Sequence, residues 1–182
     1  MKVKTLAMPS FSYTSRRELA ESRFPLLVTV LVPIAALVLQ ALIAKFSWRL
    51  SIVDLPLLVV IFFAISRRSP IAGTITGMII GLLQDALTAQ PIGVNGMAKS
   101  VVGYLAASIG LKIDVESVTT RVVISFGFSL VSSGLLFMVN RWLLGTPNLQ
   151  VLWMHELLRA LINTAIAVPL FLLLDRTKRT EY

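Results

Sequence analysis

The chain has 182 residues, 56% of them hydrophobic, and a formal charge of +8. Soluble domains of this size are about 45–50% apolar, and here the excess lies in runs long enough to span a bilayer; the composition describes a polytopic membrane protein. The sequence has no cysteine and one histidine, which excludes disulfides, thiolate chemistry and a multi-histidine metal site.

Residues 1–24 form a basic N-terminal segment with Lys2, Lys4, Arg16, Arg17 and Arg23, and RRELAESRF can form a short juxtamembrane helix. The apolar run 25–44, PLLVTVLVPIAALVLQALIA, follows. It is too long for a signal-peptide core and lacks a small-residue cleavage site. It reads as the first span, with a kink expected at Pro33 and Trp48 as an interfacial anchor.

The second span covers residues 55–66, with Asp54 as N-cap and Pro56 in the first turn. So short a stretch spans only about 18 Å, so the helix is expected to start earlier or to sit where the bilayer is thin. Arg67 and Arg68 stop it. The third span, about 71–89, is IAGTITGMIIGLLQDALTAQ. Gly73, Gly77, Gly81 and Asp85 recur every fourth residue and fall along one stripe. TAQPIGVN makes a tight turn. The fourth span, about 95–112, carries Lys99, Gly103, Tyr104 and Gly110. After the charged loop KIDVESVTTR, the fifth span, about 122–144, holds Ser125, Gly127, Ser129, Ser132, Ser133 and Gly134. GTPNLQVLWMH reads as an interfacial loop with Trp153 and His155, and the sixth span covers about 156–174. Residues 175–182 form a tail.

Six spans put both termini on one side. With that side cytoplasmic, its segments hold Lys2, Lys4, Arg16, Arg17, Arg23, Arg67, Arg68, Lys112, Arg121, Arg176, Lys178 and Arg179. The other side keeps Lys45, Arg49, Lys99, Arg141 and Arg159. The positive-inside rule therefore places both termini in the cytoplasm, and it accounts for the net charge without nucleic acid.

Four groups of residues stand out. The glycine stripe is either a docking face for a partner helix or a seam within the bundle. Asp85 lies about 22 Å along its helix, and Lys99 about 6 Å into the next. An unpaired charge at that depth is costly, so the two are expected to pair, with a proton relay or ligand counter-ion as alternatives. Glu156, Arg159 and Asn163 share one face of the sixth span. Glu156 can pair with Arg159 or Arg141, or the cluster can meet a partner. The serines of the fifth span either pack against neighbouring helices or line a small cavity. No nucleophile–base pair and no phosphate loop is visible, so no enzyme and no cofactor is expected.

From Asp54 to Tyr104 the chain resembles the rod shape-determining MreD family. The resemblance rests on LPLLVVIFFAISRR, a span with an early proline that ends in a basic pair. It rests also on GTITGMIIGLLQDAL, a glycine helix closing on an acid. The third element is PIGVNGMAKSVVGY, with its turn glycine Gly93, apolar helix and Tyr104. In the family a proline often precedes the acid of the second span, whereas here the order is Asp54-Leu55-Pro56.

The resemblance implies a fold similar to the substrate-binding subunits of energy-coupling-factor vitamin transporters. It implies a non-enzymatic scaffold in the bacterial inner membrane that binds MreC. Through the elongasome it would be linked to MreB, RodA and RodA's partner transpeptidase, in lateral peptidoglycan synthesis and cell shape. Small-residue faces on the third span, with the fifth as a further candidate, would seat the MreC transmembrane helix or build the surface that does. Gly73, Gly77, Gly81, Asp85, Gly93, Lys99 and Tyr104 are the candidate residues for helix packing and partner binding. Membrane lipids are the other expected contact. The alternative is a small-molecule transporter subunit, with Asp85 and the serines as ligand groups around an enclosed polar cavity.

Overall fold

A computed structural model of the chain describes residues 24–46, 52–113, 117–145 and 153–177. These residues form six α-helices: α1 (Leu26–Phe46), α2 (Leu55–Arg67), α3 (Pro70–Leu87), α4 (Val94–Gly110), α5 (Val118–Met138) and α6 (Trp153–Asp175). A π-helical turn, Val139–Leu143, extends α5. The expected juxtamembrane helix before Phe24, the Trp48 anchor and the middle of the 145–155 loop lie outside the described residues.

The helix starts follow local chemistry. Ser69 caps α3 by accepting from the Ala72 amide, and Pro70 opens the helix, where its missing N–H costs nothing. Asp54 caps α2 as expected, accepting from the Leu57 amide at 3.1 Å. Arg68 takes a left-handed conformation at the end of α2, and Ser69-Pro70 then starts the next helix. Helix α1 continues through Pro33, and α6 through Pro169, without interruption.

Four helices, α1, α3, α5 with its π turn, and α6, are long and apolar enough to cross a membrane. The helices α4, at 17 residues, and α2, at 13, are shorter. The shortness of α2 has a structural reason. Every residue from Pro56 to Ser66 is buried, so this helix, apolar on all sides, is enclosed by protein. A helix that does not face lipid need not match the bilayer thickness.

Around α2, sequence neighbours run antiparallel. Thr29 meets Arg67 while Gln40 meets Leu55. The helices α4 and α6 run parallel to α2, since Lys99 and Asn163 both reach Asp54 at one end. Toward the other end, Gly110 lies against the Ile65 backbone and Phe171 against Phe62. An aromatic cluster of Phe24, Phe62, Phe63 and Phe171 fills that second end. Arg121, expected in the 112–121 loop, lies in the first turns of α5 and forms an ion pair with Asp175 at the end of α6. The outward surface is apolar, with Leu26, Leu31, Leu42, Ile71, Val123 and Leu173 exposed.

Candidate functional site

The glycine stripe is the contact line between α3 and α4. A Cβ on Gly73 would overlap the carbonyl oxygen of Gly103, one on Gly77 that of Lys99, and one on Gly81 that of Asn95. In return, a Cβ on Gly103 would overlap the Gly73 carbonyl. Glycines spaced by four on α3 thus meet carbonyls spaced by four on α4, running the other way. Of the two readings of the stripe, the seam within the bundle is the one realised. The glycine face is covered by this chain's own α4, so it is not the surface that α3 leaves open.

At the far end of this seam, α3 caps α4. Gly93, the N-cap residue of α4, has φ +105, a left-handed conformation that glycine adopts without strain. It brings no side chain to the open amides of the new helix. The Asp85 carboxylate supplies the missing acceptor. It accepts from the backbone amides of Gly93 at 2.9 Å, Asn95 at 3.1 Å and Gly96 at 3.4 Å, and from the Asn95 side chain at 2.8 Å. A carboxylate at a helix N-terminus also meets the positive end of the helix dipole. Asp85 is wholly buried and charged groups are not left bare there, so α3 and α4 are tied by their charge as well as by their glycines.

The partner of Lys99 is Asp54, not Asp85. Its ammonium lies 2.8 Å from Asp54 Oδ2 and donates to Asn95 Oδ1 at 3.1 Å. The expected Asp85–Lys99 pair is overturned because the turn and the start of α4 fold over Asp85 and satisfy it with amides. Lys99, a turn further in, faces the start of α2 instead.

The start of α2 is satisfied from every side. The Asp54 amide donates to Asn163 Oδ1 of α6 at 3.0 Å, and the Leu55 amide donates to Gln40 Oε1 of α1 at 3.1 Å. Pro56 has no amide hydrogen, and Leu57 donates to Asp54 itself. Gln84 Nε2 of α3 donates to Asp54 Oδ1 at 3.4 Å. Arg159 of α6 comes within 3.8 Å of Asp54 Oδ2. Five helices therefore meet at one buried polar node around Asp54.

In the sixth span, Arg159 and Asn163 turn toward this node, and Glu156 pairs with neither Arg159 nor Arg141. Among the described residues its Oε1 lies 3.9 Å from Nδ1 of the His155 imidazole. Trp153 and His155, expected in a loop, form the first turn of α6. Tyr104 faces outward, half-exposed, and takes no part in the node.

Gln40, Gln84 and Asn95 belong to the node without standing out in the sequence. Each is a side-chain amide in or at the start of an apolar helix, where polar groups find partners inside the bundle, and that is the signal that would have found them. On α5, Ser125, Ser129 and Ser132 are buried with hydroxyls that have no hydrogen-bond partner among the described residues. Ser133 instead lines a groove of about 480 Å³ between the Asp54 ends of α5 and α6, with Leu130, Phe137, Glu156, Leu157 and Arg159.

The chemistry available at the node is cohesive. Both of its carboxylates are held by several donors, and among the described residues no group of three acids or histidines could hold a metal. No curated protein and no solved structure matches the chain. The family model for rod shape-determining protein MreD matches residues 21–177, a stretch that holds all six helices and the polar node, and the chain belongs to the MreD family.

Proposed function

We propose that this membrane protein is a non-enzymatic scaffold of the bacterial cell-elongation complex. In this reading it lies in the inner membrane, binds MreC, and through that complex supports MreB, RodA and RodA's partner transpeptidase in rod shape and lateral wall synthesis. All six helices cross, with α2 enclosed at the centre of the bundle. Both termini are cytoplasmic: Arg67, Arg68, Lys112, Arg121 and Arg176 gather at the end opposite the Asp54 node, and the positive-inside rule assigns that end to the cytoplasm.

The observation that carries the reading, beside family membership, is a small-residue face left open on α5. A Cβ at Gly127 or Gly134 would meet nothing within 4 Å. Both glycines lie on an exposed stripe with Val123, Val131 and Met138. Helices associate in lipid through close packing at small residues. The α3 glycines are used inside the bundle, so α5 is the face we assign to the MreC transmembrane helix. Replacing Gly127 and Gly134 with leucine is expected to abolish co-purification with MreC while the protein inserts and keeps its thermal stability. Undiminished co-purification would remove α5 as the seat.

The transporter alternative needs an enclosed polar cavity. In the described residues the centre of the bundle is filled by the side chains of α2, and the groove between α5 and α6 lies to one side with mostly apolar walls.

A further inference from the structure

Two charged side chains on α6 are underused, and both line the α5–α6 groove. Glu156 Oε2 is buried and has no hydrogen-bond partner among the described residues. Arg159 approaches Asp54 only to 3.8 Å, beyond hydrogen-bonding distance. Asp54 is already held by Lys99 at 2.8 Å, so the guanidinium keeps its N–H donors for another acceptor. Although spaced for an i,i+3 pair, the two do not pair with each other.

Their order along the helix matters. Trp153 opens α6 and is exposed, as is Trp142 at the end of the π turn. Tryptophans in such positions sit at the membrane–water boundary. From that boundary inward, α6 presents first Trp153, then Glu156, then Arg159. The rise from Glu156 to Arg159 is about 4.5 Å. The groove has apolar walls: Leu157 lies between the two charged residues on α6, and Leu136, Phe137 and, furthest from the mouth, Leu130 come from α5. An occupant therefore meets an anion at the mouth, a cation about one helical turn deeper, and hydrocarbon beyond.

We propose that the α5–α6 groove binds a phospholipid with a primary-ammonium headgroup, the ammonium on Glu156, the phosphate on Arg159, and an acyl chain against the apolar wall. In an ethanolamine headgroup a two-carbon bridge separates ammonium from phosphate, with the ammonium outermost. That order and short separation match the two side chains. A basic residue of a partner protein would satisfy Glu156 but leave the Arg159 donors unused. The charge balance agrees with a zwitterion: Glu156 comes no closer than 3.9 Å to His155 and keeps Oε2 without a hydrogen-bond partner among the described residues, Arg159 is under-engaged, and a neutral headgroup satisfies both. The inference rests on the membrane setting and the groove, which shares Gly134 with the open face of α5, and not on the MreC assignment.

The test uses the full chain, purified alone in detergent and stripped of lipid. Phosphatidylethanolamine, phosphatidylcholine and phosphatidylglycerol are titrated in turn, and binding is followed by native mass spectrometry and thermal stabilisation. The choline headgroup has no N–H to donate, and the glycerol headgroup has no cation. Ethanolamine lipid is expected to bind about tenfold more tightly than either, the worth of one charge-assisted hydrogen bond. Glu156→Gln, which leaves the Asp54 node untouched, should remove that preference without changing the melting temperature of the lipid-free protein. Arg159→Gln should weaken all three lipids. Equal binding of the three lipids, or a preference that survives Glu156→Gln, overturns the proposal. So does a Glu156→Gln variant that loses MreC but keeps its lipid preference, since the groove would then be a protein seat.

Discussion

The α3–α4 and α5–α6 pairs are both antiparallel and both carry glycine, yet they close differently. In α3–α4, three glycines place backbone on backbone along the whole length, and Asp85 seals the end by capping α4. In α5–α6, the Arg121–Asp175 pair fixes one end. The other end opens around a groove, and a Cβ at Gly127 or Gly134 touches nothing. A four-residue repeat stays in step with the carbonyls of an antiparallel helix, and Gly73, Gly77 and Gly81 keep that step. Gly127 and Gly134 lie seven apart on an outward stripe, where no helix of the described residues follows. The first pair is tightly closed; the second has surface to offer.

The sharpest way to break this contrast is to place the same side chain in both halves. Gly77→Leu would drive a branched chain into the Lys99 carbonyl, which is backbone and cannot give way. The expected cost is beyond about 5 kcal/mol, in the exceptional range for one substitution, and the protein should fail to yield a monodisperse folded peak. Gly127→Leu should leave that peak and its melting temperature in place. Matching losses in the two variants would mean that α5 is as tightly covered as α3.

Next in size is the Asp54–Lys99 pair, the tie between α2 and the α3–α4 half. Lys99→Met leaves a buried carboxylate without its cation, which costs about 3–5 kcal/mol. Adding Asp54→Asn removes the stranded charge and keeps a capping oxygen for the Leu57 amide. The double variant is therefore expected to be more stable than Lys99→Met alone in thermal unfolding. A double variant that simply sums the losses would place Lys99 outside the node.

Asp85→Ala tests the capping role. It strands the amides of Gly93, Asn95 and Gly96 at the start of α4, at an expected cost of about 2 kcal/mol. Hydrogen exchange should speed up at those amides and not at the start of α2. Equal acceleration at both helix starts would show that Asp85 acts on the whole node.

How far the sequence discloses the fold follows from what is local. The six helices are legible because apolar runs, prolines and the Asp54 cap lie within each segment. The stripe and its acid are legible as a seam with a charge at its end. The partner of that charge is not, because Asp85 and Lys99 are neighbours in sequence depth while the choice between them is made by tertiary placement. Asp54 reaches Lys99 across 45 residues, and the turn at Gly93 that satisfies Asp85 with amides removes the need for a cation. The same limit applies to Gln40, Asn95 and Asn163, whose polar atoms show that partners exist without showing which. The openness of α5 is the least legible feature, since an uncovered glycine and a covered one read alike in sequence.

The smallest expected effect separates those two kinds of glycine by sign. Glycine in a helix interior is less favourable than alanine by about 1 kcal/mol, so where nothing touches the position a methyl group should stabilise. Gly127→Ala and Gly134→Ala are therefore expected to raise the melting temperature slightly, and Gly77→Ala to lower it, because even one carbon meets the Lys99 carbonyl. If α5 seats a partner helix, the two α5 variants carry a further signature. They should be more stable alone and yet bind MreC less well, because the methyl group that helps the isolated helix holds the partner's backbone away. Stability gained without any loss of MreC would make the α5 glycines a lipid-facing accident of composition. Stability and MreC binding lost together would mean that the open face is part of the fold.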